Sequence, residues 1–362
     1  MRRAIRRFVV RVLGDSLRKS QVKTLAALVP GLIRSQQLGI AAIGRCLGGS
    51  AKPKNGIKRV FRFTSNEGVD VTAISRAMIA VLCQPGKIIG IAMDWTKMGN
   101  FQVLTSAVVT KHRAIPVYWT VIDELETRMK DAELDHIAAL RELVPRENGP
   151  VILADRGFDD VAFLSALGRD FQLVVRSANS TCVRLQGESD FQRLSQIPIE
   201  RNQVYDFGQI DFRKDDPLKI RLVIVHDRQQ AEPWILLTNI EGSPPRDIVR
   251  WYRRRFEIEE AFRDLKDLRA GFRLRHYKMS EPARLGRLLV VAVLAYLFLV
   301  LMGTWGEKRG LQRDYQVNTV KHRVLAVWRL GLLLLKSRVR PPLEELTCLL
   351  GSVAMAAEEV RV

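Results

Sequence analysis

Cysteine and histidine are scarce in this chain of 362 residues. Four cysteines and five histidines are spread along it, and no two cysteines stand at a spacing typical of zinc ligands. The cysteines are also too few and too far apart for the disulfide framework of a small secreted domain. We therefore expect a protein of the reducing cytoplasm, without structural disulfides and without a metal site built from histidine or cysteine.

Long apolar runs are missing too. A membrane-spanning helix usually needs about 20 apolar residues, and the longest run here, Leu288–Met302, has fifteen. Runs of this length are more often buried core helices, so we expect a buried helix and no membrane partner, with a membrane anchor as the alternative. The first residues, MRRAIRRFVV, lack a long apolar region and a small-residue cleavage site, which argues against a signal peptide.

Acidic residues are scarce at the start of the chain. Residues 1–85 contain three acids, Asp15, Glu67 and Asp70, against 16 lysines and arginines, and supply +13 of the formal net charge of +19. Such a surplus indicates a polyanionic partner, most simply nucleic acid. A solubility bias is the alternative, but the concentration at one end favours a nucleic-acid-binding module. The alternation of basic and aromatic residues in Lys58–Phe63 fits that module and fits core packing equally well.

Helix and strand patterns divide the chain and predict a mixed α/β fold. Residues 14–85 favour several short helices, which predicts an all-α DNA-binding domain in residues 1–85. Residues 86–176 favour the order β-β-β-α-β-α-β, and residues 177–233 favour strands alone. After one more strand the remaining patterns are helical, including a helix expected over Lys321–Leu335.

One of these helices carries an unusual set of polar side chains. Ser243, followed by two prolines, marks a helix start, and we expect one continuous helix from there to about Leu268. In such a helix, offsets of three, seven and fourteen residues place four side chains within about 60° of one another: Tyr252, Arg255, Glu259 and Lys266. The combination suggests that Glu259 binds a metal ion and that its neighbours bind phosphates. A salt-bridged, exposed helix is the alternative, but it leaves the tyrosine unexplained.

Two aspartates follow predicted buried strands. Asp94 ends the first strand and Asp155 the fourth, and sites in open α/β sheets collect at such strand ends. Each alone could simply cap the following turn. Together with Glu259, however, they would repel one another unless a cation lay between them. Oxygen ligands without histidine or cysteine suit Mg²⁺ or Mn²⁺, and two such ions about 4 Å apart can support phosphodiester displacement.

These motifs together resemble the DDE transposases of bacterial cut-and-paste insertion sequences. The helical stripe matches the Tyr-x2-Arg-x3-Glu-x6-Lys signature of one subfamily at every position. Residues 91–96 and 153–158 match its two aspartate regions, and the likeness extends from about residue 17 to 300. It implies an RNase H-like catalytic core in residues 86–176 and 234–303, interrupted by the β-rich insertion 177–233. A helical C-terminal region, 304–362, would follow and could support a homodimer.

The resemblance also implies the roles of individual residues. Asp94, Asp155 and Glu259 would form a catalytic triad that holds two Mg²⁺ or Mn²⁺ ions. The partner would be double-stranded DNA, both the terminal inverted repeats of the element and the target. The expected reaction is hydrolysis at the element's ends followed by strand transfer, with a DNA hairpin as intermediate.

The remaining site residues would contact that DNA. Tyr252, Arg255 and Lys266 would bind phosphates near the cleavage site. Trp234, on the strand before the signature helix, would stack on an extruded base, and a core aromatic is an equal alternative.

At the level of the whole protein, two alternatives stay open. One is a structure-specific nuclease or an inactive domesticated relative, and the other is a DNA-binding regulator without enzymatic activity.

Overall fold

The fold is described from a computed structural model. It describes residues 2–14, 16–50, 52–83, 86–111, 113–123, 129–145, 147, 149–228, 230–266, 272, 281–317, 319–320 and 322–353. Within these residues, ten strands form one mixed sheet. Helices precede the sheet, connect its strands and follow it. The mixed α/β architecture that the sequence predicted is therefore confirmed, and it is consistent with an RNase H-like fold.

The chain begins with helices. They are α1 (Arg2–Leu13), α2 (Lys19–Ser35), α3 (Ile40–Arg45), α4 (Pro53–Thr64) and α5 (Val71–Leu82). The sequence prediction started its helices at residue 14 and so missed α1, whose apolar side chains lie on one buried face between arginines. Helices α3 and α4 cross at Gly44 and Gly56. A Cβ on Gly56 would lie 2.2 Å from the carbonyl oxygen of Gly44, so the two backbones can approach only because glycine has no side chain.

The central elements follow in the predicted order. They are β1 (Gly90–Met98), β2 (Phe101–Val109), β3 (Ala114–Asp123), α6 (Met129–Leu143), β4 (Val151–Ala154), α7 (Val161–Gly168) and β5 (Gln172–Ser177). Strands β1 to β3 form an antiparallel meander, whereas β4 is parallel to both β1 and β5. The carboxyl ends of β1 and β4 therefore lie at the same edge of the sheet.

The following strands extend the same sheet. They are β6 (Cys182–Arg184), β7 (Gln192–Arg193), β8 (Val204–Phe212), β9 (Leu218–Val225) and β10 (Trp234–Thr238). The strand order is β3-β2-β1-β4-β5-β10-β9-β8-β6-β7. Because β10 pairs antiparallel with both β5 and β9, the strands between residues 177 and 233 continue the central sheet.

The rest of the described chain is mainly helical. The helices are α8 (Pro245–Arg254), α9 (Phe256–Lys266), α10 (Pro282–Lys308), α11 (Val327–Lys336) and α12 (Leu343–Val353). The prediction of one continuous helix from Ser243 to Leu268 was wrong: the helix is capped by Pro244 and is interrupted at Arg255. Its expected end after Lys266 lies outside the described residues. The helix expected from Lys321 begins only at Val327.

Helices α8 and α9 cover one face of the sheet. Ala92, Leu153 and Leu236 on that face pack with the buried side chains of both helices.

Helix α10 is long and apolar enough to cross a membrane, but 94% of its most apolar window is buried inside the protein. The buried helix expected around Leu288–Met302 is therefore confirmed.

Candidate active site

Strand register brings the two aspartates together. Ile91 pairs with Ile152 and Ala92 with Leu153 in the parallel ladder of β1 and β4. The same offset, continued for two residues, places Asp94 beside Asp155. Because alternate residues of a strand point to the same face, Asp94 shares the face of Ala92, which α8 and α9 cover. Both carboxylates thus lie where the signature helices cross the ends of the strands.

Asp155 uses its two carboxylate oxygens differently. Its Oδ1 atom accepts a hydrogen bond from the backbone N–H of Arg156 (2.8 Å), so the residue does cap the short helical turn that follows. The same atom accepts a hydrogen bond from the hydroxyl of Tyr252 (3.1 Å). These two donors fix the orientation of the carboxylate, and Oδ2 is turned towards Arg255.

The guanidinium of Arg255 lies between all three candidate acids. Its Nη1 atom is 3.5 Å from Oδ2 of Asp94, and its Nη2 atom is 3.8 Å from Oδ2 of Asp155. Nη2 also donates to Oε1 of Glu259, one turn further along the chain. The Arg255 side chain is only 3% exposed. One buried cation therefore serves acids from β1, from the end of β4 and from α9.

Aromatic rings surround that cation. The guanidinium carbon of Arg255 lies 4.7 Å from the ring centroid of Phe256 and 5.8 Å from that of Tyr252. The ring of Trp234 packs edge-on against Tyr252, at 5.0 Å, and at a tilt against Phe256, at 5.6 Å. The buried Nε atom of Arg255 has no hydrogen-bond partner. The arginine is thus held by ring faces and by the acids in front of it.

The grouping of acids changes the ionisation of Asp94. Burial, and then the neighbouring charges of Asp155 and Glu259, raise the pKa of its carboxyl from 3.8 to about 6, although Arg255 opposes the shift. Burial lowers the pKa of Arg255, but the surrounding acids outweigh burial and raise it overall. The site therefore holds an excess of acidic groups that a single guanidinium does not fully compensate.

Two signature residues already have hydrogen-bond partners within the protein. Tyr252 is fully buried and directs its hydroxyl at Asp155, which favours positioning of that carboxylate over contact with a phosphate. Lys266 donates to Oγ1 of Thr96 and lies 5.6 Å from the ring of Phe262. Tyr252 thus orients Asp155 from inside the protein, and Lys266 contacts β1 two residues beyond Asp94. Trp234 is half-buried against the aromatic rings, so it retains an accessible part.

The donor set has the chemistry of a site for a hard divalent cation. All three acids offer carboxylate oxygens to one positive charge, as Mg²⁺ and Mn²⁺ ligands do. Among the described residues, no three side chains of Asp, Glu, His or Cys lie close enough together to hold an ion as they stand. The guanidinium of Arg255 keeps the acids apart, so a metal ion could bind only if that side chain moved aside.

Sequence reasoning missed the contacts that hold this site in place. Trp95, next to Asp94, donates from Nε1 to the buried carboxylate of Glu133 on α6 (2.8 Å). Asp264 on α9 accepts hydrogen bonds from side chains far away in the chain. No local spacing connects these partners, because each pair is separated by more than thirty residues.

Comparison with known proteins gives one family. No curated protein matches the chain. The family model of the transposase DDE domain matches residues 106–298, more than half of the 362 residues. The matched region contains Asp155 and the whole Tyr252–Lys266 signature, and it begins after Asp94. With a match of this extent over the sheet and the signature helices, the chain belongs to the transposase DDE domain family.

Proposed function

We propose that this protein is a DNA transposase that excises and integrates an insertion sequence by cutting and rejoining phosphodiester bonds. The family match supports the enzyme class. The observation that carries the proposal is the convergence of Asp94, Asp155 and Glu259, from three separate elements, on one buried cation. A structural salt bridge requires one acid, whereas a site for two divalent ions requires several.

In this proposal, the three acids hold two Mg²⁺ or Mn²⁺ ions. When bound, such ions increase the nucleophilicity of the attacking oxygen and stabilise the leaving one. Arg255 serves as the counterion of the acids until DNA and metal arrive, and then turns to a phosphate, which it can bind through two nitrogens. Tyr252 keeps the Asp155 carboxylate oriented throughout. Lys266, at the rim, supplies a second positive charge to the DNA backbone.

Trp234 is proposed to stack on an extruded base while a hairpin forms at the element's end. Its half-buried ring is adjacent to the acid cluster, and it is already braced by Tyr252 and Phe256. A ring held in place at this position loses little conformational freedom on stacking, and stacking offsets part of the cost of unpairing the base.

The N-terminal helices are proposed to bind the terminal inverted repeats, with α4 as the main contact. Helix α4 contains no acidic residue, and Lys54, Asn55, Lys58 and Arg62 are exposed along it. A cleft of about 360 Å³ between α2 and α4 is lined by further arginine, amide and hydroxyl groups. Basic and amide side chains on one helix are the groups that bind phosphates and base edges.

The test uses labelled duplexes that carry the ends of the protein's own element, with Mg²⁺ or Mn²⁺. We expect nicking and strand transfer by the wild type, and loss of both in Asp94→Asn, Asp155→Asn and Glu259→Gln while DNA binding persists. Glu257→Gln, on the same helix, is the matched control and should remain active. In the same gels, Trp234→Ala should nick normally but give less hairpin, and an unchanged hairpin yield would contradict the stacking role.

The same experiment separates the alternatives. Cleavage of branched or hairpin DNA without strand transfer would favour a structure-specific nuclease. Binding of the end duplexes without cleavage at any metal concentration would favour a regulator or an inactive relative. Formation of a complex with two DNA ends and two copies of the chain, measured by light scattering, would support the proposed homodimer.

A further inference from the structure

Helix α9 carries a buried carboxylate that the proposed chemistry does not use. The Oδ2 atom of Asp264 accepts one hydrogen bond from Nε of Arg113 (2.8 Å) and another from the hydroxyl of Tyr296 (3.0 Å). Asp264 is 9% exposed and Tyr296 is 1% exposed. Arg113 lies in the turn between β2 and β3, and Tyr296 lies on α10. A single oxygen atom thus joins three elements.

The buried charge depends on these partners. Burial raises the pKa of the Asp264 carboxyl, and Arg113 is the main influence that lowers it again. A buried carboxylate that loses a donor remains partly unpaired, which is costly in a dry environment. Arg113 also lies 3.6 Å from the carboxylate of Glu260, one turn before Asp264. It therefore fixes two successive turns of α9 on the same side of the helix.

This side is opposite the acid cluster. Glu259 and Asp264 are five residues apart, so their side chains point about 140° apart around the helix axis. On the side of the acid cluster, Glu259 contacts Arg255 and Lys266 donates to Thr96. A small rotation of α9 would move the Glu259 carboxylate relative to the two aspartates. The hydrogen bonds from Arg113 and Tyr296 to Asp264 lie on the opposite side of the helix and oppose that rotation.

We propose that Arg113, Asp264 and Tyr296, here called the Asp264 clamp, are positioning residues that set the rotation of α9 and thereby place Glu259 for metal binding. The inference rests on the proposed function, because it assumes that Glu259 is a metal ligand. It also assigns α10 a role in the active site, although that helix contributes no side chain to the acid cluster.

The test compares Tyr296→Phe with Tyr315→Phe in the full-length protein. Each change removes one hydroxyl that donates a hydrogen bond. The hydroxyl of Tyr315 donates to Ser337 (2.8 Å), which is not part of the clamp. We expect Tyr296→Phe to weaken Mn²⁺ binding about tenfold, the size typical when a partner that orients a metal ligand is lost. Calorimetric titration with Mn²⁺ measures this directly, and DNA nicking at saturating Mn²⁺ should stay near the wild-type rate. Tyr315→Phe should bind Mn²⁺ like the wild type.

A second variant, Asp264→Asn, should weaken Mn²⁺ binding further because Arg113 then loses the closer of the two carboxylates it contacts. If both clamp variants lower only the melting temperature and bind Mn²⁺ like the wild type, the clamp is merely structural and the proposal is wrong. Failure of the proposed function looks different. In that case Glu259→Gln itself leaves Mn²⁺ binding unchanged, or the wild type binds no Mn²⁺, and the clamp has no metal ligand to position.

Discussion

At the scale of single residues, the central feature is a guanidinium shared by three carboxylates. Arg255 is nearly inaccessible, whereas the side chains of Asp94, Asp155 and Glu259 remain 23%, 33% and 43% exposed. Each acid thus keeps an open side, from which an ion or a phosphodiester could approach. The arginine occupies the side that faces the protein. This division allows one residue to stabilise the acids before substrate binds, and the guanidinium has to move aside when a metal ion takes its place.

Replacement of Arg255 tests that division. In metal-free protein, Arg255→Gln leaves three neighbouring acids without a counterion. We expect a loss of about 2 kcal/mol in the free energy of unfolding, below the roughly 3–5 kcal/mol for a fully buried pair because the acids are partly exposed. Mn²⁺ should then stabilise the variant more than it stabilises the wild type, as measured by thermal melting.

The matched control is Arg253→Gln on α8, where the arginine is half-exposed and pairs with Asp227. It should change neither the metal-free stability nor the response to Mn²⁺ appreciably. Weaker Mn²⁺ stabilisation of Arg255→Gln than of the wild type would contradict the competition between guanidinium and metal.

Asp94 gives a pH dependence with a defined sign. Burial raises the pKa of its carboxyl from 3.8 to about 6, so the folded state prefers the protonated form. The stability that this proton confers is complete below the unfolded pKa and is lost as the pH rises through about 6. We expect Asp94→Asn to stabilise the metal-free protein by up to about 3 kcal/mol at pH 7 and by little at pH 4, measured by urea unfolding.

Saturating Mn²⁺ provides the control for this prediction. With metal present at pH 7, the wild type should become the more stable protein, because the ion binds the carboxylate and not the amide. Equal urea midpoints of the two metal-free proteins at pH 7 would show that the charge on Asp94 does not destabilise the folded state.

At the scale of elements, periodicity predicted most of the fold. Alternating and continuous apolar runs placed β1 to β5 and their connecting helices in the observed order, because burial on one or both faces leaves a clear period. The interruption at Arg255 left no such trace, since the residues on both sides favour helix. Helix α1 was missed because five arginines interrupt its seven apolar residues and obscure their helical spacing.

The same limit applies to the site. Strand ends and a spaced signature pointed to the acids, but the Asp264 clamp joins residues 113, 264 and 296, which only the tertiary fold brings together. Tyr252 illustrates the same limit: its spacing predicted a phosphate contact, but could not show that its buried hydroxyl donates to Asp155. Spacing identifies which residues share a helix face and says little about what lies opposite that face.

Glycine contacts set the packing of the C-terminal helices. A Cβ on Gly303 of α10 would lie 1.8 Å from the carbonyl oxygen of Val327 at the start of α11, so the two backbones touch. We expect Gly303→Ala to destabilise the protein by about 1–3 kcal/mol, because the helices must move apart. Gly286→Ala in the same helix is the matched control, since its nearest neighbour would be 3.6 Å away. Chemical denaturation of both variants checks the difference, and equal stability would show that α10 and α11 pack less tightly.

At the scale of the whole molecule, positive charge is concentrated in residues 1–85, which contain helices α1 to α5. The proposed contact of α4 with DNA predicts that removal of three of its positive charges weakens binding to end duplexes. It should also make the slope of log K against log salt concentration shallower by about 2–3, since each phosphate contact contributes about 0.9. Fluorescence anisotropy at several salt concentrations measures this for a triple alanine variant of Lys54, Lys58 and Arg62.

An equal loss of charge on α1 is the control. Three of its arginines are exposed along the helix and can be replaced together: Arg6, Arg7 and Arg11. This variant should retain most of the affinity for end duplexes. If the α1 variant loses more affinity for end duplexes than the α4 variant, the main DNA contact lies on α1 and not on α4. Nicking by the wild type would still support the proposed catalytic function in that case.

The continuous sheet has a consequence for self-association. Its outermost strands are β7, with only two residues, and β3, which contacts α5, α6, α9 and α10. A long, unprotected edge strand is a template for aggregation through added strands, and β7 is too short to provide one. Among the described residues, however, β6 pairs with β8 only at Asp211 and Phe212, so residues 204–210 of β8 have no strand beside them on that side. If two copies of this chain share a sheet, we expect them to join along this part of β8 and not at β3 or β7.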